Sequence, residues 1–451
     1  MKRIRTIPWR FQRECLFSKD PDELILQAKM SSPDTMRFKP RNVAVAAVLI
    51  LMFAIEAYCV TYYKYNTGGF LNTSVLFICV GLLTATVPFL MVPTPASDNG
   101  STSSKYAAAA GSLILLASGV ALLVYCFTTA ARVFPLHPLD YRIADMIPQI
   151  KVCDERLLNG EKVYAPIPKI WTGMKPTYLP MMWLPWIPFN VFSNDLRWTS
   201  VALLNLALLL LATTVPRRSV IVAVLETGLI VTIGVLTRFM FQGDPFFIAY
   251  VEEPVVISYY LLLGFALIRN KPWQKGVAIS CCVLSRYVLL FWIPAYLMFV
   301  YVFESKKNAW IIFCTVAAAT LFVFVLPFFI WQPEYYLDVI TYYHDVAKLR
   351  LSWDANNYST QLGLAKLFTL DKMDWLIRLE AAAVVMTPFA ALGFFVSQKK
   401  RLVQNKEFFG LCSLKLTMVL FYAFVEIPFD YLFFVPAFFT VPICIQAMRR
   451  C

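Results

Sequence analysis

The chain has 451 residues, of which 59% are hydrophobic and only 15% charged. Soluble domains carry about 25% charged residues, so composition excludes an ordinary soluble protein and points to an integral membrane one. The net charge of +13 does not indicate nucleic-acid binding, because the basic residues gather in short loops beside apolar runs. That is the bias that orients membrane proteins, with positive loops in the cytoplasm. The eleven cysteines lie mostly inside apolar runs, as Cys281 and Cys282 do, and read as small buried hydrophobes rather than a disulfide framework.

Residues 1–41 hold ten Lys or Arg ahead of any apolar run. A cleavable signal places its apolar core directly after a short basic region, so this segment is expected to remain as a cytoplasmic arm, with an interfacial stretch around "IPWRFQRECLF". Runs of the roughly 20 residues needed to span follow at 42–63, 71–92 and 106–129. A polar region of about seventy residues, 130–198, then interrupts the pattern. Further apolar runs lie at 199–215, 219–237, 254–268, 308–331, 374–397, 407–425 and 431–448.

The stretch 276–304 is about 43 Å long as a helix, too short for two crossings of about 30 Å each. Charge decides how it runs. The basic clusters are Arg217–Arg218, Arg269/Lys271/Lys275, Lys306–Lys307, Lys399–Arg401 with Lys406, and Arg449–Arg450. A single crossing at 276–304 puts the Lys399–Lys406 cluster outside; a broken, re-entrant pair puts every cluster in the cytoplasm. Irregular backbone at membrane depth must line a cavity, so the pair is expected to break near Ser285–Tyr287 beside one. The expectation is an all-α polytopic membrane protein of about twelve spanning or re-entrant helices. Both termini are then cytoplasmic. The outer face carries 130–198, with short interfacial helices, as well as 238–253, 332–373 and the turn "EIPFDY".

Two acids, Asp140 and Asp145, lie just beyond the third segment, where a carboxylate can serve as a general base. If "DYRIADMIPQI" is helical up to Pro148, the pair differs by about 140° around the axis, so both cannot face one cavity. The apolar-aromatic "YLPMMWLPWIPF" suits a helix in the interface, with Trp183 and Trp186 at headgroup depth. It equally suits a groove for a lipid-borne substrate. Arg286 inside an apolar segment is a functional candidate by default. Its bland reading is a salt bridge to Glu226 or Glu380, or snorkelling to an interface. Glu252 and Glu253 admit acceptor-binding, metal-binding and interfacial readings. His137 and His344 are the only histidines, which leaves no zinc ligand set. A divalent ion on carboxylate oxygens has no support beyond the acids themselves. No Gly-rich phosphate loop is present.

The string Asp145, "LLNGEKVY", "PTYLPMMWLP" resembles the first outer loop of GT-C-fold membrane glycosyltransferases, in particular the polyprenol-phosphate-mannose-dependent α-mannosyltransferase family. That family has an Asp after a membrane helix, then Gly-x-x-x-Tyr, then Tyr-x-Pro; Gly160, Tyr164, Tyr178 and Pro180 fit. "FQGDPF", with Gln242 and Asp244, is similar to the family's Gly-Gln turn in reversed order. "LSRY" sits where the family has a basic residue, and "NNYSTQLG", with Asn357, resembles its Asn-x-Ser loop. The likeness covers roughly 130–365; the segments at 42–92 depart from the family's one-helix start.

The resemblance implies a GT-C-like fold and Asp145 rather than Asp140 as the catalytic base. It also implies Arg286 on the donor phosphate, substrate contacts from Asp140, Tyr164, Tyr178, Gln242, Asp244 and Asn357, and no metal or cofactor. The implied partners are a polyprenyl-phosphate-linked sugar donor, a lipid or glycan acceptor and membrane lipid, in a bacterial inner membrane. A multi-pass transporter or lipid and glycan flippase is the competing reading, since broken helices and membrane charges describe those as well. A non-catalytic partner of an envelope complex is a third.

Overall fold

The computed structural model of the chain describes residues 40–62, 72–92, 105–170, 173–192, 195–215, 220–333, 362–368, 372–425 and 429–451. These are nearly all helical, and one isolated β-bridge, Ile167 to Met174, stands among them. The helices are α1 (Pro40–Thr61), α2 (Thr73–Thr86), α3 (Lys105–Leu136), α4 (Met146–Leu158), α5 (Pro180–Trp183), α6 (Ile187–Phe192), α7 (Trp198–Ala212), α8 (Val220–Arg238) and α9 (Pro245–Tyr250). They continue as α10 (Glu253–Arg269), α11 (Pro272–Val283), α12 (Val288–Phe299), α13 (Lys306–Thr320), α14 (Met373–Ser397), α15 (Lys399–Leu402), α16 (Phe409–Phe424), α17 (Phe434–Phe438) and α18 (Thr440–Met448).

Among the described residues, eight helical stretches are long and apolar enough to cross a membrane. Their surroundings differ. The stretch Asp430–Met448 is 94% buried and runs through the middle of the bundle, whereas Lys306–Phe329 is only 11% buried and lies at the edge. α10 packs on α7, α11 and α18 and is buried along almost its whole length. It meets α18 closely at Gly264, where a Cβ would stand 2.5 Å from Pro442 Cγ; only glycine fits there.

The region 272–304 is a hairpin. α11 ends at Val283 and α12 starts at Val288, with the Ser285 hydroxyl folded back onto the Cys282 carbonyl at 2.8 Å. The two far ends meet, since Lys275 Nζ lies 3.0 Å from Glu304 Oε2. α11 is about 18 Å long and the returning arm runs from Val288 on to Glu304, so the tip stands well into the bundle, away from Lys275.

Other contacts gather the remaining basic clusters on the side of Lys275. Asn42 donates from Nδ2 to the carbonyls of Val92 and Arg450. Asn405 donates to Met91 O at 3.0 Å, Arg450 pairs with Glu407, and Arg449 reaches Ile268 O. Lys399 sits over the Phe303 ring. The described clusters therefore share one face, as the charge argument requires; Arg217–Arg218 lie outside the described residues. Exposed Trp273 and Trp310 flank this face and exposed Trp331 and Trp375 the other. Trp310 and Trp331 are about 30 Å apart along the helix, one hydrocarbon thickness.

Several local expectations are corrected. α3 continues to Leu136, beyond the expected end at 129. "DYRIADMIPQI" is not one helix. The Asp140 carboxylate accepts from its neighbour Arg142 at both backbone and guanidinium, which closes a turn over 140–144, and helix begins only at Met146. Trp183 and Trp186 are fully buried in the protein and do not face lipid. The prolines shorten the segment into α5, a 3-10 turn and α6, and the Trp183 indole packs against Tyr164 and Phe328. The helices at 42–92 are not an appendage, since α1 packs on α8 and α18, and α2 on α16.

Candidate functional site

The hairpin tip carries a cluster of charges at the end opposite the basic clusters. Arg286 follows α11 in the break, and its side chain is 24% exposed. Its Nη2 donates to Glu253 Oε2 and, at 3.3 Å, to Glu252 Oε1. Both carboxylates are buried at the start of α10. The antiparallel packing of α10 on α11 brings them together, since the outer end of one helix must lie beside the outer end of the next. The partners are not Glu226 or Glu380.

The segment 164–183 is tied to this tip. Met181 N donates to the Leu284 carbonyl at 3.0 Å, which gives a partner to a backbone group freed by the break. The Tyr259 hydroxyl donates to the Met181 carbonyl at 3.0 Å. Tyr164 holds the stretch just before, donating to the Tyr178 carbonyl at 3.0 Å and accepting from Trp183 Nε1 at 3.2 Å. With its backbone amide bonded to Gln332 Oε1, Tyr164 is a positioning residue enclosed by protein.

Tyr178 is thereby delivered to the cluster, where its hydroxyl bonds the Glu252 carboxylate. Burial first, then the negative charges of Glu252 and Asp145, push its phenol well above the ordinary value, so it stays a donor. Asp145 is half-buried at the N-cap position of α4 but makes no capping bond to that helix. Its charge acts instead on Tyr178 and on Glu252. Asp145, Tyr178 and Arg286, separated in sequence, thus belong to one cluster.

The other expected residues lie elsewhere or outside the described residues. Asp140 is engaged by Arg142, which holds its carboxyl below the usual range. Gln242 is exposed on a π-helical turn, Phe239–Gly243, and Asp244 follows it; Phe241 between them and α8 packs toward Tyr125 of α3. Asn357 is outside the described residues. Among those described, no group of three His, Cys, Asp or Glu side chains is arranged to hold a metal ion.

The charge balance bears on Arg286. Asp145, Glu252 and Glu253 outnumber the single guanidinium beside them. A phosphate placed on Arg286 would face two buried carboxylates already bonded to it, and like charges at this range are costly at low dielectric. Only Nη2 of Arg286 is engaged by the two carboxylates, so a phosphate contact through the remaining donors would have to be made against their charge rather than by releasing them. Tyr260 and Tyr422, which feel the charges of Glu253 and Arg286 at the same tip, escaped the sequence reading; each is a tyrosine inside an apolar run.

A second buried ion pair, also missed, lies within the spans. Lys415 of α16 pairs with Glu56 of α1 at 2.8 Å, both fully buried, and Glu56 also accepts from Thr440 at 2.6 Å. Lys415 further donates to the Pro436 carbonyl.

The chain matches no protein-family model, no curated protein and no solved structure. Its likeness to GT-C transferases rests on the short motifs quoted above.

Proposed function

We propose that this multi-pass membrane protein is an inverting glycosyltransferase, with a mannose-like sugar on a polyprenyl phosphate as donor and a lipid or envelope glycan as acceptor. The observation that carries the reading is the meeting of Asp145 with Tyr178 and Glu252 at the tip of the hairpin, where a membrane-borne donor and a polar acceptor can both arrive. In this reading Asp145 takes the proton of the acceptor hydroxyl as its oxygen attacks the anomeric carbon. The bond from that carbon to the phosphate oxygen breaks, and the lipid phosphate leaves as the anion. The carboxylates nearby favour the positive charge that develops on the sugar. Arg286 acts first as counter-ion to Glu252 and Glu253, so it positions them rather than gripping the phosphate. The basic face is cytoplasmic and the cluster lies on the outer face of a bacterial inner membrane.

The transporter reading draws on one observation, the Glu56–Lys415 pair inside the spans. That pair is closed on itself by Thr440 and Pro436, which leaves little for a cargo ion to displace. The deciding assay is transfer of labelled mannose from a polyprenyl-phosphate donor to endogenous acceptors in membranes. Asp145→Asn abolishes transfer while the protein stays folded; transfer at the wild-type rate by that variant removes the reading.

A further inference from the structure

Among the described residues, five polar atoms at the tip are enclosed by protein and have no hydrogen-bond partner: Glu252 Oε2, Glu253 Oε1, Arg286 Nε, and the hydroxyls of Tyr260 and Tyr422. Buried polar groups are nearly always satisfied, so five together in one place are unusual. They are also close to one another. Tyr422 feels the charges of Glu253 and Arg286, and Tyr260 feels Tyr422, Arg286 and Glu253. Tyr260 lies two turns along α10 from Glu253, and Tyr422 comes from α16.

The tally of donors and acceptors narrows what can fill this demand. The two carboxylate oxygens accept when ionised, the Arg286 Nε–H only donates, and each phenol does either. A phosphate offers acceptors alone and is repelled by Glu252 and Glu253. An ammonium offers donors alone and leaves Arg286 Nε unmet. Adjacent hydroxyls of a neutral polyol supply both, each giving its proton to a carboxylate and taking one from the guanidinium or a phenol. We infer that Glu252, Glu253, Arg286, Tyr260 and Tyr422 form a subsite for adjacent hydroxyls of a neutral sugar ring, with the donor's phosphate held elsewhere. For its physiological ligand the inference rests on the transferase reading; the hydroxyls belong to the donor's sugar or to the acceptor's.

The test uses the full-length protein in nanodiscs and saturation-transfer NMR with methyl α-mannoside, its singly deoxygenated analogues and inorganic phosphate. The glycoside binds and at least one deoxy analogue binds about tenfold more weakly, as loss of a hydrogen bond to a charged group entails. Glu253→Gln weakens the glycoside similarly. Tyr422→Phe is the control for folding, since removing an unpartnered buried hydroxyl leaves stability unchanged or higher while binding still falls. Displacement of the glycoside by polyprenyl-phosphate mannose marks the donor's sugar; persistence marks the acceptor's, and either leaves the subsite standing. The inference is overturned if wild type does not bind the glycoside, if Tyr422→Phe and Glu253→Gln leave binding intact, or if phosphate binds in an Arg286-dependent way. Asp145-dependent transfer without these effects sinks the subsite alone, and glycoside binding without transfer sinks the transferase reading alone.

Discussion

Lys275 Nζ and Glu304 Oε2 stand 3.0 Å apart although a full hairpin of chain separates them, and this contact defines how 272–304 enters and leaves the bundle from one side. Lys275 is almost fully buried and Glu304 mostly so. Removing one partner strands a charge, at a cost of about 3 kcal/mol. Glu304→Ala is therefore expected to lower the thermal unfolding temperature in detergent clearly, and Glu304→Asp to lower it less. A Glu304→Ala variant as stable as wild type would show that the hairpin closes without the pair.

The Glu56–Lys415 pair gives a sharper version of the same test, because neither side chain has any exposure. Lys415→Met leaves a buried carboxylate uncompensated and is expected to cost about 3–5 kcal/mol. Glu56→Gln combined with Lys415→Met removes both charges and recovers most of the loss. If the double variant is no better than the single one, the packing of α1 on α16, and not the charge, is what the substitutions disturb.

Asp154 yields a pH dependence. It lies on the buried side of α4, and among the described residues neither of its oxygens has a partner. Burial pushes its carboxyl from the ordinary 3.8 up to about 8. The folded protein keeps this proton where the unfolded chain releases it, so folding takes up a proton and stability falls as pH rises from about 4 to about 8. Asp154→Asn removes that dependence, and should exceed wild type in stability by a few kcal/mol at pH 8 while matching it near pH 4. Parallel stability curves for the two proteins across this range would count against a buried, proton-retaining Asp154.

Asp140 and Asp145 should separate in function. Asp140 is held by Arg142 at the surface, so Asp140→Ala is expected to keep transfer within about twofold of wild type, as for most surface substitutions. Asp145→Ala should lose it by at least about a hundredfold, the scale of a positioned general base. The opposite pattern, measured on membranes with equal protein, would reassign the base.

Sidedness can be read by labelling. Glu161 is exposed on the loop after α4 and Lys406 is exposed on the basic face. Asn405 is a poor position because it is buried and donates to Phe89 O and Met91 O. Membrane-impermeant maleimide applied to intact cells should modify Glu161→Cys and spare Lys406→Cys. Modification of both from outside would overturn the orientation.

The sequence made the spans readable because apolar length is a local property, and it placed a break near Ser285–Tyr287 because length ruled out two full crossings and charge bias ruled out one. It did not reveal the partners of Arg286. Glu252 and Glu253 were visible as a pair, but pairing them with Arg286 needs the antiparallel contact of α10 and α11, which no single segment encodes. Trp183 and Trp186 misled for a related reason. An apolar aromatic stretch looks the same whether it meets lipid or protein, and only Tyr164 and Phe328, distant in sequence, decide between them. Glu56 and Lys415 were each one charge in an apolar run; their opposite signs were the signal that could have joined them.

The bond from Met181 N to the Leu284 carbonyl bears on how the protein is made. α11 is about 18 Å long and too short to cross the bilayer by itself. An opened tip inside the membrane must find protein partners for its freed backbone groups, and the loop that supplies one of them lies earlier in the chain. Synthesis therefore delivers 173–192 to the far side before the hairpin emerges, and the tip docks onto a surface already waiting for it. A chain with that loop deleted should lose the hairpin at insertion, before any question of sugar chemistry arises, and be cleared by membrane proteases.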